Sequence, residues 1–247
     1  MPTRELTGTV CPTIGSLGAA YYFTPPTLAR GRAMGLDGFR FYFLGRGGVL
    51  GDVEASVVAS AFGYFAPSLV EAVWDSARAR ADPRTAGREH LAAAQDFGRD
   101  HFSGVGELEG FCDAARSVVT AADPAGLALF AGIAAEPLPE DPPARAMQLL
   151  AVLRELRGSA HLLAVVASGI SPRVAHYLRR PNDFTLFGWK EEDIPTVTKK
   201  DREGLAASER LTDELVRGPY SVLDAEGQSS LIAGLERMEA AIALGQP

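Results

Sequence analysis

The chain of 247 residues is poor in cysteine, histidine and basic charge, and it has no long uninterrupted apolar run. Each shortage excludes something. Two cysteines, Cys11 and Cys112, are too few and too far apart for a disulfide framework or a thiolate metal centre, and both are expected to be reduced. Four histidines, none joined to acidic residues at a ligand spacing, make no zinc or iron arrangement, so no metal is expected. Lys and Arg number 24 against 31 Asp and Glu, a formal net charge of −7, which disfavours general attraction to a phosphate backbone and makes DNA an unlikely partner. No segment reaches the roughly 18 to 20 apolar residues that span a bilayer. Residues 1–6 also lack the basic flank and apolar core of a signal peptide. The expectation is a cytoplasmic protein without a membrane partner, long enough to bury its own core.

What is present is a helical period. Apolar residues recur three and four apart, without strand-like alternation between hairpin turns, which predicts an all-α, multi-helix globular bundle. The first segment, over residues 3–22, is expected to break at Pro12, and helices follow over 27–34 and 38–46. Asp52 is placed to cap a helix through Val53, Val57, Val58 and Phe62, and Pro67 begins another. Asp82-Pro83 and Asp123-Pro124 each set a capping carboxylate before a proline at the first helical position, for helices over 83–97 and 124–135, with another over 105–122. Residues 136–143 are so rich in proline that they read as a linker between an N-terminal region, 1–135, and a C-terminal region, 144–247, packed together as one unit. A long apolar helix over 144–168 is expected to run through the middle. Helices over 172–180, 199–217 and 224–244 follow, with an irregular stretch at 181–198.

Two remote stretches set charge into apolar surroundings, where it must be paired or put to use: residues 42–51, which contain Arg46, and residues 154–161, which contain Glu155, Arg157 and His161. If they converge, Arg46 and Arg157 can bind an anionic group, Tyr22, Tyr42 and Tyr64 can line the space, and His161, Asp52 or Glu155 can move a proton. The alternatives are a salt bridge from Arg46 to Asp52 or Glu155, and a His161 satisfied within the core. Gly45, Gly47, Gly48 and Gly51 match neither a P-loop nor a dinucleotide fingerprint, and neither Ser159 nor Ser168 occupies a nucleophile elbow, so no nucleotide and no cofactor are expected. Arg78, Arg80, Arg84 and Arg88 form the densest basic cluster, either a solvated helix face or a dock for an acidic partner such as a carrier protein.

Both stretches resemble an actinobacterial all-helical family described as helix-turn-helix or SalK-like, which carries a YFxGRxxPLG-like block and a later REHRGDGH-like block. The chain has Tyr42-Phe43-Leu44-Gly45-Arg46 for the first and Arg154-Glu155-Leu156-Arg157-Gly158-Ser159-Ala160-His161 for the second. Leu156 and Ser159 stand where the family has a histidine and an aspartate, and Gly18 where it has another histidine. Phe62-Gly63-Tyr64-Phe65-Ala66-Pro67 is similar to a FYNFHP-like block without its asparagine and histidine. Phe187-Gly188-Trp189 is similar to an RGW-acidic block that opens a winged-helix segment in the family, here short and degenerate, a packing or lid element anchored by Trp189. The resemblance implies a small-molecule enzyme of specialised metabolism, working by metal- and nucleotide-independent acid–base chemistry such as elimination or ring closure. The alternative is a ligand-binding or regulatory protein, or a non-catalytic subunit. Its partners would be a free or carrier-tethered small molecule and other chains in a homo- or hetero-oligomer.

Overall fold

Twelve α-helices, three short 3-10 turns and no strand make up residues 1–244, the part of the chain described by this computed structural model. The helices are α1 (Thr3–Leu17), α2 (Pro25–Ala33), α3 (Gly38–Gly47), α4 (Ala55–Phe62), α5 (Pro67–Arg78), α6 (Pro83–Phe102), α7 (Leu108–Ala121), α8 (Ala128–Ala134), α9 (Pro142–Ala167), α10 (Pro172–Arg179), α11 (Lys199–Tyr220) and α12 (Ala225–Leu244). Their starts follow capping chemistry. Asp37, Asp82, Asp141, Ser171 and Thr198 each accept a hydrogen bond from a backbone N–H of the first turn. Proline opens α2, α5, α6, α9 and α10, where its missing N–H costs nothing.

The 26-residue α9 is the axis of the molecule. It packs against α1, α6, α7, α8, α10 and α11. Its buried residues include Ala144, Met147, Gln148, Leu150, Leu153, Leu156 and Ala160; up to Leu156 they are spread around the helix rather than along one stripe, as an enclosed helix requires, whereas beyond it Gly158, Leu163 and Val166 are exposed. One apolar core, from Leu6 in α1 to Met238 in α12, draws on residues before and after the proline-rich stretch. A second small core joins Val165 of α9 to Ile170 and Ala175, with Leu205 of α11 packed against it.

Several local expectations change. α1 runs straight through Pro12, which faces solvent; the residue four before it, against whose carbonyl the ring would press, is the exposed Gly8. Asp52 caps nothing, because α4 begins at Ala55 with Glu54 at its N-cap; Asp52 instead pairs with Arg78 at 3.5 Å. Asp123 accepts from the N–H of Ala125 in a turn, and α8 starts only at Ala128. Pro142 and Pro143 are the first turn of α9 rather than the end of a linker. Between Gly188 and α11 there is a 3-10 turn, Glu191–Asp193, and no strand that could form a wing.

The glycines of residues 45–48 serve close packing. A Cβ on Gly48 would lie 2.0 Å from the carbonyl oxygen of Pro83, and one on Gly45 would lie 2.6 Å from the Cβ of His90. Only glycine lets α3 and the following 3-10 turn, Gly48–Leu50, approach α6 this closely.

Candidate functional site

The two arginine-bearing stretches converge. Arg46 donates from Nε and Nη2 to Glu155 Oε1 and Oε2 at 2.7 and 2.9 Å, and from Nη1 to the Tyr42 hydroxyl at 3.2 Å. The fork is closed, and the guanidinium also lies over the Phe62 ring at 4.5 Å. Burial pushes Glu155 upward, but the charge and hydrogen bonds of Arg46 outweigh it and hold the carboxyl below its usual range. Of the two arrangements open to Arg46, the structure takes the internal salt bridge, and takes it with Glu155 rather than Asp52.

Beside this pair lies a cavity of about 260 Å³, walled by α3, α4 and the turn after it, α9, α10 and Phe187. Tyr42, Arg46, Tyr64, Glu155, Arg157 and His161 all line it. Tyr22 does not: it stands behind the wall, where its hydroxyl accepts from Arg154 Nε at 3.3 Å, and burial pushes its phenol up to about 12. Asp52 is exposed and remote from the cavity. Sequence reasoning left out Arg154, His176, Arg179 and Arg180 as site residues, all of which line the space. The cluster of His176 with Arg179 and Arg180 was visible in the chain, but its spacing carried no sign of which cavity it would enter.

His161 is fixed by a short relay. The Thr212 hydroxyl donates to the Ser208 carbonyl at 2.7 Å, so its remaining capacity is to accept from His161 Nδ1–H at 2.9 Å. That tautomer leaves Nε2 as the acceptor, 3.6 Å from Glu209 Oε1. Burial lowers the imidazole below its ordinary range, with Glu209 opposing and Arg179 and Arg157 reinforcing the shift. Glu209, on α11, gathers the arginines: it is 2.8 Å from Arg179 Nη2 and 3.7 Å from Arg157 Nη2.

Two buried polar atoms at the cavity have no partner, the Tyr64 hydroxyl and His176 Nε2. Such atoms cost about 1–3 kcal/mol each unless a guest or water satisfies them. The Tyr64 ring lies between the two histidines, 6.3 Å from each. Phe187 closes the side by stacking on Phe65 and lying tilted against His176, both at 4.1 Å, while its carbonyl accepts from Ala66 N–H and Trp189 Nε1 donates to the Tyr64 carbonyl at 2.9 Å. The segment around Trp189 is therefore a cover docked on the α4–α5 turn.

Elsewhere three arginines of the basic cluster have partners, and the fourth, Arg88, is exposed. Arg78 donates to the Val53 carbonyl and faces Asp52, Glu54 and Asp75, Arg80 reaches the Gly35 carbonyl, and Arg84 meets Glu136. No helix among the described residues is long and apolar enough to cross a membrane.

No curated protein and no solved structure matches the chain. A family model described as a helix-turn-helix family does, over residues 7–195. That match overturns the expected small-molecule enzyme: it points to a DNA-binding or regulatory role, and it restores DNA as a candidate partner against the reading from net charge. With three quarters of its length so matched, including both arginine-bearing stretches and the cover at Phe187, the chain belongs to the helix-turn-helix family.

Proposed function

We propose that the protein is a ligand-binding regulator whose cavity is an effector site and whose output is DNA binding through the helix pair α9–α10. The observation that carries this reading is the double exposure of α10. Its Ala175, His176 and Arg179 line the cavity, while Arg173, which does not, is 40% exposed. A four-residue turn, 168–171, joins it to α9, with Gly169 at φ 72° and Ile170 buried in the small core, which is the layout of a helix-turn-helix unit. Among the helix pairs joined by equally short turns, α4–α5 carries Glu54, Glu71 and Asp75 and suits phosphates poorly.

Local charge also favours this end of the molecule. Gly204 packs on Ile170 and the Ser168 carbonyl, which brings the start of α11 beside the turn. The acids there are already engaged: Asp201 with Thr198, Glu203 with Lys199, and Glu209 with Arg179. Lys200 and Arg202 are left exposed, without an ion-pair partner among the described residues. A local basic patch of this kind supplies phosphate contacts that an overall charge of −7 hides.

The test is fluorescence anisotropy with a labelled duplex from upstream of the protein's own coding sequence. Affinity should fall steeply with salt, and Arg173→Ala with Arg202→Ala should weaken binding about tenfold and reduce the salt slope by about 1 for each phosphate that is no longer neutralised. Binding that is absent, or indifferent to both substitutions, overturns the DNA output.

A further inference from the structure

The charge around the cavity does not balance, and the imbalance names the guest. Five arginines line it: Arg46, Arg154, Arg157, Arg179 and Arg180. The carboxylates within 4.0 Å of any of them are four: Glu155, Glu209, Asp213 and Asp183. Arg154 is the one left over. Its donors reach the Tyr22 hydroxyl and the Gly15 carbonyl, both uncharged. Both histidines of the wall are held towards their neutral forms, chiefly by burial, so they add no compensating or further charge near neutral pH. One positive charge remains for a guest to meet.

The place for that charge is set by α9. Arg154, Arg157 and His161 follow each other three and four residues apart, so one strip of the helix faces the cavity. Between the arginines and the histidine stands Gly158, where an added Cβ would meet nothing nearer than Glu155 Oε2 at 3.9 Å. Unlike Gly45 or Gly48, this glycine is not required by packing. It leaves a bay open on the helix surface, in the same wall as Arg154, Arg157 and His161.

The opposite wall is aromatic, formed by Tyr42, Phe62, Phe65 and Phe187. Flat apolar walls favour a planar guest. The volume, about 260 Å³, exceeds the roughly 150 Å³ cavity that accepts benzene. It leaves room for one ring with a short acid-bearing arm. The unpartnered Tyr64 hydroxyl supplies a further donor for an acceptor-bearing head.

We propose that the cavity binds a small aryl carboxylate as a monoanion, its head between Arg154 and Arg157 at the bay of Gly158 and its ring against Phe62 and Phe65. This assignment rests on the reading of the cavity as an effector site. A single residual charge matches a carboxylate better than a phosphate monoester, which brings nearly two.

Isothermal titration of the full-length protein with benzoate, phenylacetate and 3-phenylpropanoate tests it, with phenyl phosphate and 2-phenylethanol as the other arms. At least one carboxylate should bind saturably, at least tenfold tighter than the alcohol and tighter than the phosphate. Gly158→Leu, which fills the bay, should abolish binding while the melting temperature is kept, and Arg154→Met should weaken it tenfold or more. Failure of all three carboxylates, equal binding of the alcohol, tighter binding of the phosphate, or full affinity in a folded Gly158→Leu protein overturns the assignment. Carboxylate binding without duplex binding upholds this site and removes only the DNA output. Duplex binding without any carboxylate binding removes this site alone.

Discussion

Arg46 and Glu155, 109 residues apart in the chain, are joined by two parallel hydrogen bonds with side chains 17% and 4% exposed. The pair ties α3 to the central α9 at the edge of the cavity. Removing one partner leaves the other charge buried, at a cost of about 3–5 kcal/mol. Arg46→Ala and Glu155→Ala should each lower stability by that order in urea denaturation. Arg46→Met combined with Glu155→Leu should recover most of it. Single variants within about 1 kcal/mol of the parent would contradict the structural role given to this pair.

His90 should make the protein sensitive to acid. It is buried in α6, bonded through Nδ1 to the Tyr21 hydroxyl at 3.1 Å, with Nε2 unpartnered. Burial, and after it the Arg46 charge, lower its pKa to about 3, with Glu155 opposing. The folded state therefore refuses a proton that the unfolded chain takes near pH 6.5. Stability that is complete above about pH 6.5 should fall as pH drops from there towards about 3, by up to about 1.4 kcal/mol per unit for this group. His161 and His176, also lowered chiefly by burial, act in the same direction. Denaturation across the range from neutral pH down to about pH 4 should show a shallower pH slope in His90→Leu; an unchanged slope rules out His90 as the source.

Gly48, in the 3-10 turn after α3, and Gly158 of α9 should respond oppositely to alanine. At Gly48 the new methyl would meet the Pro83 carbonyl at 2.0 Å, so the backbone must move, and a loss of about 1–3 kcal/mol is expected. At Gly158 the methyl enters open space in a helix, and a gain of about 0.5–1 kcal/mol is expected. Thermal melts of the two variants provide the comparison, and similar values for both would contradict the packing described.

Trp189 holds the cover in place. Its Nε1 bonds to the Tyr64 carbonyl, its ring stacks near Phe184 at 6.0 Å, and the Arg173 guanidinium lies 5.6 Å from it. Trp189→Ala should cost on the order of 2 kcal/mol locally and speed limited proteolysis within residues 184–198. Cleavage there at the parental rate would show that the cover is held by something else.

Much of the fold was legible in the chain. The Asp-Pro pair at 82–83 and the prolines at 67 and 172 opened helices as read, because capping and proline geometry act within one turn. Pro12 and Asp123 were misread for the same reason in reverse. Whether a helix continues through proline depends on whether the carbonyl four residues before can turn aside, as the exposed Gly8 carbonyl can, and Asp123 accepts in a turn rather than at a helix start. At the cavity, the chemistry of Arg46, Arg157, Tyr42, Tyr64, Glu155 and His161 was readable because charge inside apolar sequence is conspicuous. Tyr22 and Asp52 carry the same kinds of group yet lie outside it.

By itself, then, the sequence determined an all-helical chain, the apolar central helix and the residues whose polarity demanded a partner, since helical period, capping and burial cost are local properties of residue type. Tertiary structure alone decided that Glu155 rather than Asp52 takes Arg46, that α10 turns His176 and Arg179 towards the same space, and that Arg154 is the one of the five cavity arginines without a carboxylate within 4.0 Å. Those outcomes depend on which surfaces meet across more than a hundred residues. No local spacing encodes that meeting; it follows from how twelve helices pack around one axis.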